Sequence, residues 1–246
     1  MSKRPFPVSY RTAPAESVLE IQAYFRNPAP WPEDKVQELE GVFKGYAALG
    51  AAGGLAGTHA SPANSSLVEK GHRVTPHELF WSFAATDLDP GSLKIAVNLL
   101  DFLHAQGFPL KEALIVSDLI RKVPAERLEL PFVFEPLPFT YEFEASSADM
   151  LVDLAFLKNE PDEARLPFEQ AFRAWHTVAA WGGFSEGGPS SEEEGELYLM
   201  DVHSLPASLE FVLESVAIDP QAFDSVVNAF HKLHLKGAKL DSVLIQ

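Results

Sequence analysis

Apolar and polar residues alternate along this chain in two kinds of pattern, and the same succession of patterns occurs twice. Residues 18–25 and 149–156 are short runs rich in β-branched and aromatic side chains, which predicts strands. Ahead of each, Pro5-Phe6-Pro7-Val8-Ser9-Tyr10 and Pro136-Leu137-Pro138-Phe139-Thr140-Tyr141 suggest a further strand reached from an extended proline segment. A helix comes next. Pro32, Glu33 and Asp34, like Pro161, Asp162 and Glu163, put proline and acids in a first turn, where the helix dipole favours them. Val36, Leu39, Val42, Phe43, Tyr46 and Leu49 then recur at helical spacing, and Gly53-Gly54 or Gly182-Gly183 stops the helix.

After a loop rich in Gly, Ser and Pro, the second half shows two apolar runs, 196–203 and 209–218, which predict a hairpin. In the first half the second of these runs is 79–88. Another helix opens at Asp89-Pro90 and at Asp219-Pro220, an N-cap acid followed by proline at N1. Its apolar stripe is Leu93, Ala96, Val97, Leu100 and Leu103, matched by Phe223, Val226, Val227, Phe230 and Leu233. Gly107 and Gly237 fit the left-handed position beyond a helix end. A strand at 110–116 or 240–246 closes each half.

The two halves are copies. Residues 219–246 lie on 89–116 at an offset of 130 without a gap, and 10 of the 28 positions are identical. These include Asp89/Asp219, Asn98/Asn228, His104/His234 and Gly107/Gly237. An offset of 131 brings together Pro5/Pro136, Pro7/Pro138, Tyr10/Tyr141 and Phe25/Phe156. An offset of 129 brings together Pro32/Pro161, Glu40/Glu169, Phe43/Phe172 and Ala51/Ala180. Three blocks in order, with nearly equal offsets, mean an internal duplication.

Strand, helix, strand, strand, helix, strand resembles the split βαβ of the ferredoxin-like sandwich. The expected fold class is α+β: a tandem duplication of a ferredoxin-like (βαββαβ) sandwich, with two antiparallel sheets each covered by two helices. Residues 1–116 form the first repeat, 117–135 a linker whose Arg121-Lys122-Val123-Pro124 start reads as exposed, and 136–246 the second repeat. The resemblance is to a fold, and a fold does not select an activity.

Composition narrows the chemistry. The chain has no cysteine, which removes disulfides, thiolate metal sites and cysteine nucleophiles. Its net charge of −16 divides unevenly: residues 1–120 carry −3 and residues 121–246 carry −13. Such a field repels phosphate backbones and anionic lipid, so nucleic-acid and membrane-surface roles are disfavoured. Lys3 and Arg4 are followed by no apolar h-region, and 45–58 is too short and glycine-rich to span a bilayer. A soluble, cytoplasmic protein is the default expectation.

No catalytic constellation emerges. His104 and His234 sit in the last turn of a helix, where a histidine can bond free carbonyls and favour the dipole. His231 and His234 have an i, i+3 spacing that could offer two imidazoles to a metal, but no third ligand supports it and none is expected. His59, His72, His77, His176 and His203 are scattered, with His72 and His77 read as surface or packing residues. The stretch 50–57 is glycine-rich but follows a helix and lacks a Lys-Ser/Thr ending, so it is a helix stop and not a phosphate cradle. Asn98 and Asn228, amid buried stripes, are expected to satisfy backbone groups.

The run Ser190-Ser191-Glu192-Glu193-Glu194-Gly195-Glu196 stands out. Its plain reading is a solvated loop; its functional reading is a part of an acidic face for a basic protein, with Glu192, Glu193, Glu194 and Glu196 as the contact residues. The leading expectation is therefore a non-enzymatic protein-binding module without cofactor or metal, such as an inhibitor or immunity-type protein for a basic partner. The alternative is an enzyme or small-molecule binder with a pocket between the repeats.

Overall fold

A computed structural model of the chain describes residues 4–14, 17–26, 31–58, 60–121, 127–144, 149–185, 197–214 and 219–246. The first repeat runs β1 (Val8–Arg11), β2 (Val18–Phe25), α1 (Glu33–Ala51), β3 (Ser66–Val74), β4 (Glu78–Thr86), α2 (Gly91–Ala105) and β5 (Leu110–Ser117). The second runs β6 (Thr140–Phe143), β7 (Asp149–Phe156), α3 (Asp162–Ala180), β8 (Tyr198–Leu205), β9 (Ser208–Glu214), α4 (Ala222–Lys236) and β10 (Leu240–Ile245). The sheets have the same order, β1-β5-β2-β4-β3 and β6-β10-β7-β9-β8. Both copies thus contain the duplicated βαββαβ unit.

Each unit has one addition. Its four ferredoxin-like strands are antiparallel, but β1 pairs parallel to β5, with Val8 opposite Ala113, and β6 pairs parallel to β10, with Ser242 opposite Thr140. Each sheet is therefore mixed. The cause is local: the chain reverses between β1 and β2, which flank β5 on opposite sides, so the strand antiparallel to β2 must run with β5.

Alternation on the strands turns one face of each sheet inward. Leu19, Ile21, Ala23 and Phe25 point in from β2, as do Leu79, Trp81 and Phe83 from β4. Val152, Leu154, Phe211 and Leu213 do the same in the second sheet, each burial contributing roughly 1.5–3 kcal/mol. The helices cover these faces and also meet each other. On α2, residues such as Ile95, Asn98, Leu99 and Asp101 are buried besides the expected stripe; Asn98 faces the loop after α3 of the other repeat, and Asp101 pairs with Arg4 of its own. At the crossing of α1 and α3 the backbones come close: a Cβ on Gly45 would lie 2.8 Å from Thr177 Cγ2.

At the helix starts the expected acids bond backbone N–H groups, but α2 begins at Gly91 and α4 at Ala222, so Pro90 and Pro220 stand ahead of the first helical residue. At the helix ends one glycine departs from expectation. Asp89 Oδ1 accepts the Gly91 N–H at 2.8 Å, and Asp219 Oδ1 accepts that of Gln221 at 2.9 Å. Gly107 is left-handed at φ 88°, as are Gly53 and Gly182 after α1 and α3. Gly237 is not; its φ is −142°. The helix α4 runs on to Lys236, and Lys239 Nζ bonds the free carbonyls of His234 and Leu235, so no left-handed turn is needed.

The linker is bound where it is described. Leu119 and Leu130 are buried, and only Arg121 of its expected exposed start lies among the described residues. Residues 130–134 run along α4: Gln221 Nε2 donates to Leu130 O and Asn228 Nδ2 to Phe132 O, while the Phe134 N–H donates to Asn228 Oδ1. Among the described residues no helix is long and apolar enough to cross a membrane.

Candidate functional site

One pair of identical residues, Asn98 and Asn228, joins the copies. Asn98 Nδ2 donates to Gly183 O at 3.0 Å and Ser185 O at 2.8 Å, in the loop after α3. Asn228 Nδ2 donates to Ala56 O at 3.1 Å, in the equivalent loop after α1. The contact is reciprocal, the signature of a two-fold relation between repeats. Lys232 extends it by donating to Ala51 O at 2.8 Å and Ser65 O at 2.5 Å. Burial pulls this ammonium down to about 8, helped by Lys236. The glycine-rich stretch therefore receives side chains of the other repeat.

The histidines are structural too, though not in the way their place suggests. Nδ1 of His104 accepts the Leu110 N–H at 3.1 Å, and Nδ1 of His234 accepts the Leu240 N–H at 3.0 Å. Each ring thus accepts from the start of the following strand, where bonds to free helix carbonyls had been expected. Burial lowers both pKa values, so neutral rings fulfil this role and a charge–dipole attraction does not. His231 and His234 both pack against the ring of Phe139, at 6.4 and 5.7 Å. Among the described residues no group of three or more His, Asp or Glu is arranged to hold a metal ion.

His72 meets two carboxylates, with Nδ1 2.7 Å from Glu69 and Nε2 3.5 Å from Glu40. They lie against opposite ring nitrogens and cannot share one cation with it. Its ring stacks on the buried Trp81 at 4.4 Å. A cavity of about 270 Å³ opens beside the start of α2, lined by Thr58, Asp89, Gly91, Arg127, Glu129 and Phe132 among others. It lies between the first repeat and the linker, not between the helix layers.

The outer face of the second sheet departs from its counterpart. The strands β6 to β10 contain seven acids (Glu142, Asp149, Asp153, Asp201, Glu210, Glu214 and Asp241) and no Lys or Arg. Strands β1 to β5 carry Arg11, Lys70, Arg73 and Lys111 against Glu20, Glu69, Glu78 and Glu112. Register sharpens the contrast. Asp153 stands directly opposite Glu210, and Asp149 opposite Glu214. The equivalent pairs in the first sheet are Gln22 with Phe80 and Val18 with Ala84.

Like charges directly opposite one another destabilise a sheet. Burial first, and Glu210 second, push the Asp153 carboxyl above its usual range, and its Oδ1 is buried without a hydrogen-bond partner. The fold does not require this, because the first copy forms the same sheet with neutral pairs. Sequence showed the acidity of this half but not the facing pairs, which depend on strand register. The residues singled out there, Glu192, Glu193, Glu194 and Glu196, lie outside the described residues; Glu196 stands two positions before β8.

No known protein family matches the chain, and no curated protein resembles it. Solved structures give only distant likenesses. A ferredoxin protease in complex with Arabidopsis ferredoxin is 10% identical over 97% of this chain, with a TM-score of 0.23. The chain spans 41% of that protein's length. A predicted insulinase family protease from Yersinia pestis is 9% identical over 92% of this chain and 70% of its own, with a TM-score of 0.22. A peptidase M16 inactive domain from Pseudomonas fluorescens is 12% identical over 93% of this chain and 76% of its own, with a TM-score of 0.19. Likenesses at this level carry no functional argument.

Proposed function

We propose that the protein is a non-enzymatic protein-binding module whose second sheet offers its outer face to a partner with a basic surface. The observation that carries this reading is the pair Asp153 and Glu210, held side by side where the duplicate has Gln22 and Phe80. A like-charge pair costs the free protein stability, and a cation brought by a partner removes that cost. A potential of one sign over a whole face also steers an oppositely charged partner toward it. Glu192, Glu193, Glu194 and Glu196 add four acids just ahead of β8 in sequence. An inhibitor or immunity-type role against a basic protein is one form such a module takes.

The test is comparative affinity capture from the source cell, followed by mass spectrometry. Wild type is set against Asp153→Asn, Glu210→Gln and Glu214→Gln combined. The expected result is a protein of basic isoelectric point that wild type retains, that moderate salt weakens and that the variant loses. Equal retention by both, or no basic protein retained, overturns the reading.

A further inference from the structure

We propose that β8 accepts an extended, lysine- or arginine-bearing segment of that partner, which adds to the second sheet as a sixth strand. This rests on the binding role proposed above and specifies how the partner engages. Sheet edges present unpaired backbone groups, and proteins protect them with short strands or with charge, lysine especially. Three of the four edges here are protected in these ways. The edge strands β1 and β6 have 4 residues each. The 9-residue β3 carries Lys70 at its bulge and then Arg73, which pairs with Glu78 at 2.9 Å.

The fourth edge is twice as long as β1 or β6 and has no lysine or arginine; its one acid, Asp201, accepts the Val202 N–H at 2.8 Å and so attracts a cationic strand rather than repelling it. The 8-residue β8 has its bulge at the equivalent place, but Met200 stands where β3 has Lys70 and His203 where it has Arg73. Tyr198, Met200 and Leu205 are 48, 60 and 51% exposed. Beyond the bulge, residues 201–205 pair regularly with β9, and among the described residues no strand pairs with the other side of β8. A run of five residues is enough to template a strand. Backbone hydrogen bonds would supply affinity and alternate side chains specificity, as in other cases of strand addition.

Charge selects the occupant. A second copy pairing β8 with β8 about a two-fold axis would set the two acidic faces side by side, which like-charge repulsion opposes. A strand with cations at alternate positions would instead place them over Asp201 and beside Glu210, which stands opposite His203.

The probe is a synthetic peptide of about ten residues alternating lysine and threonine, with a control of the same sequence N-methylated at its central residues. The control keeps the charge and loses the backbone donors. Amide exchange of the full chain is followed with each. The unmethylated peptide is expected to slow exchange at β8 by about tenfold or more, leave β3 unchanged, and bind roughly tenfold tighter than its control. Equal binding of both peptides with β8 unprotected overturns strand addition, as does β8 protection through self-association without peptide. If strand addition fails while the Asp153, Glu210 and Glu214 variant still loses a basic partner, this inference falls and the binding role stands.

Discussion

Asn98 and Asn228 are single residues with consequences across the molecule. Each lies mid-helix and bonds carbonyls of a loop in the other repeat, so removing the side chain leaves buried acceptors without a donor. Asn228 also accepts the Phe134 N–H at 2.8 Å. Asn228→Ala is expected to cost about 2–4 kcal/mol, more than Asn98→Ala, because it orphans groups of both the first repeat and the linker. Urea unfolding of the two variants checks the order. Asp224 gives a pH signature beside the same linker segment. Burial raises its pKa to about 6, opposed by a hydrogen bond from the Val133 backbone and assisted by Asp219. An acid whose folded pKa lies above its unfolded value of 3.8 binds more protons when folded, so its contribution to stability falls as pH rises from about 4 to about 6. Asp224→Asn should therefore match wild type near pH 4 and exceed it by roughly 1–2 kcal/mol at pH 7, a gain reduced by the solvent that reaches the carboxylate. A constant difference across that range would contradict this assignment.

At the scale of elements, strand register decides which charges face one another. Neutralising Asp153 and Glu210 together, as Asp153→Asn with Glu210→Gln, should raise stability by roughly 0.5–1 kcal/mol at neutral pH and low salt. The gain should shrink at high salt, where screening is short-ranged, and in acid, where the wild-type carboxyls protonate. Thermal unfolding at two salt concentrations measures it; a loss of stability would show that the pair is supported in the free protein. Much at this scale was legible in the sequence. Two copies of one pattern gave all four α-helices and the order of the ferredoxin-like strands, since noise in one copy is corrected by the other. The strand β3 of the first copy had no range of its own, and the 3-10 turn at Asp118–Arg121 lay in the expected linker. Three features were not legible. The parallel pairing of β1 depends on which side of β5 it takes, which no local pattern encodes. The extended end of α4 depends on Lys239, a residue that the duplicate lacks. The role of His104 and His234 as acceptors depends on the start of the next strand being within reach.

For the whole molecule, duplication produced an interior in which Asn98 and Asn228 tie the repeats reciprocally, Lys232 adds a tie that Phe102 of the first copy cannot match, and the outer faces have diverged. One sheet is balanced in charge, and the strands of the other carry acids without Lys or Arg. Within the candidate site, sequence disclosed the imbalance of −3 against −13 but could not place it on a face, because alternation assigns sides only once the pairing is known. The most direct test of that face as a docking surface is association kinetics of the captured basic partner across a salt series. Wild type is compared with the combined Asp153→Asn, Glu210→Gln and Glu214→Gln variant, and with one carrying Gln at 192, 193, 194 and 196. Screening over about 8 Å at physiological salt confines the effect to charges near the contact. The expected result is that the face variant associates about tenfold more slowly at low salt, with a smaller change in dissociation and a flatter salt dependence. Association that is unchanged by the face variant and independent of salt would contradict it.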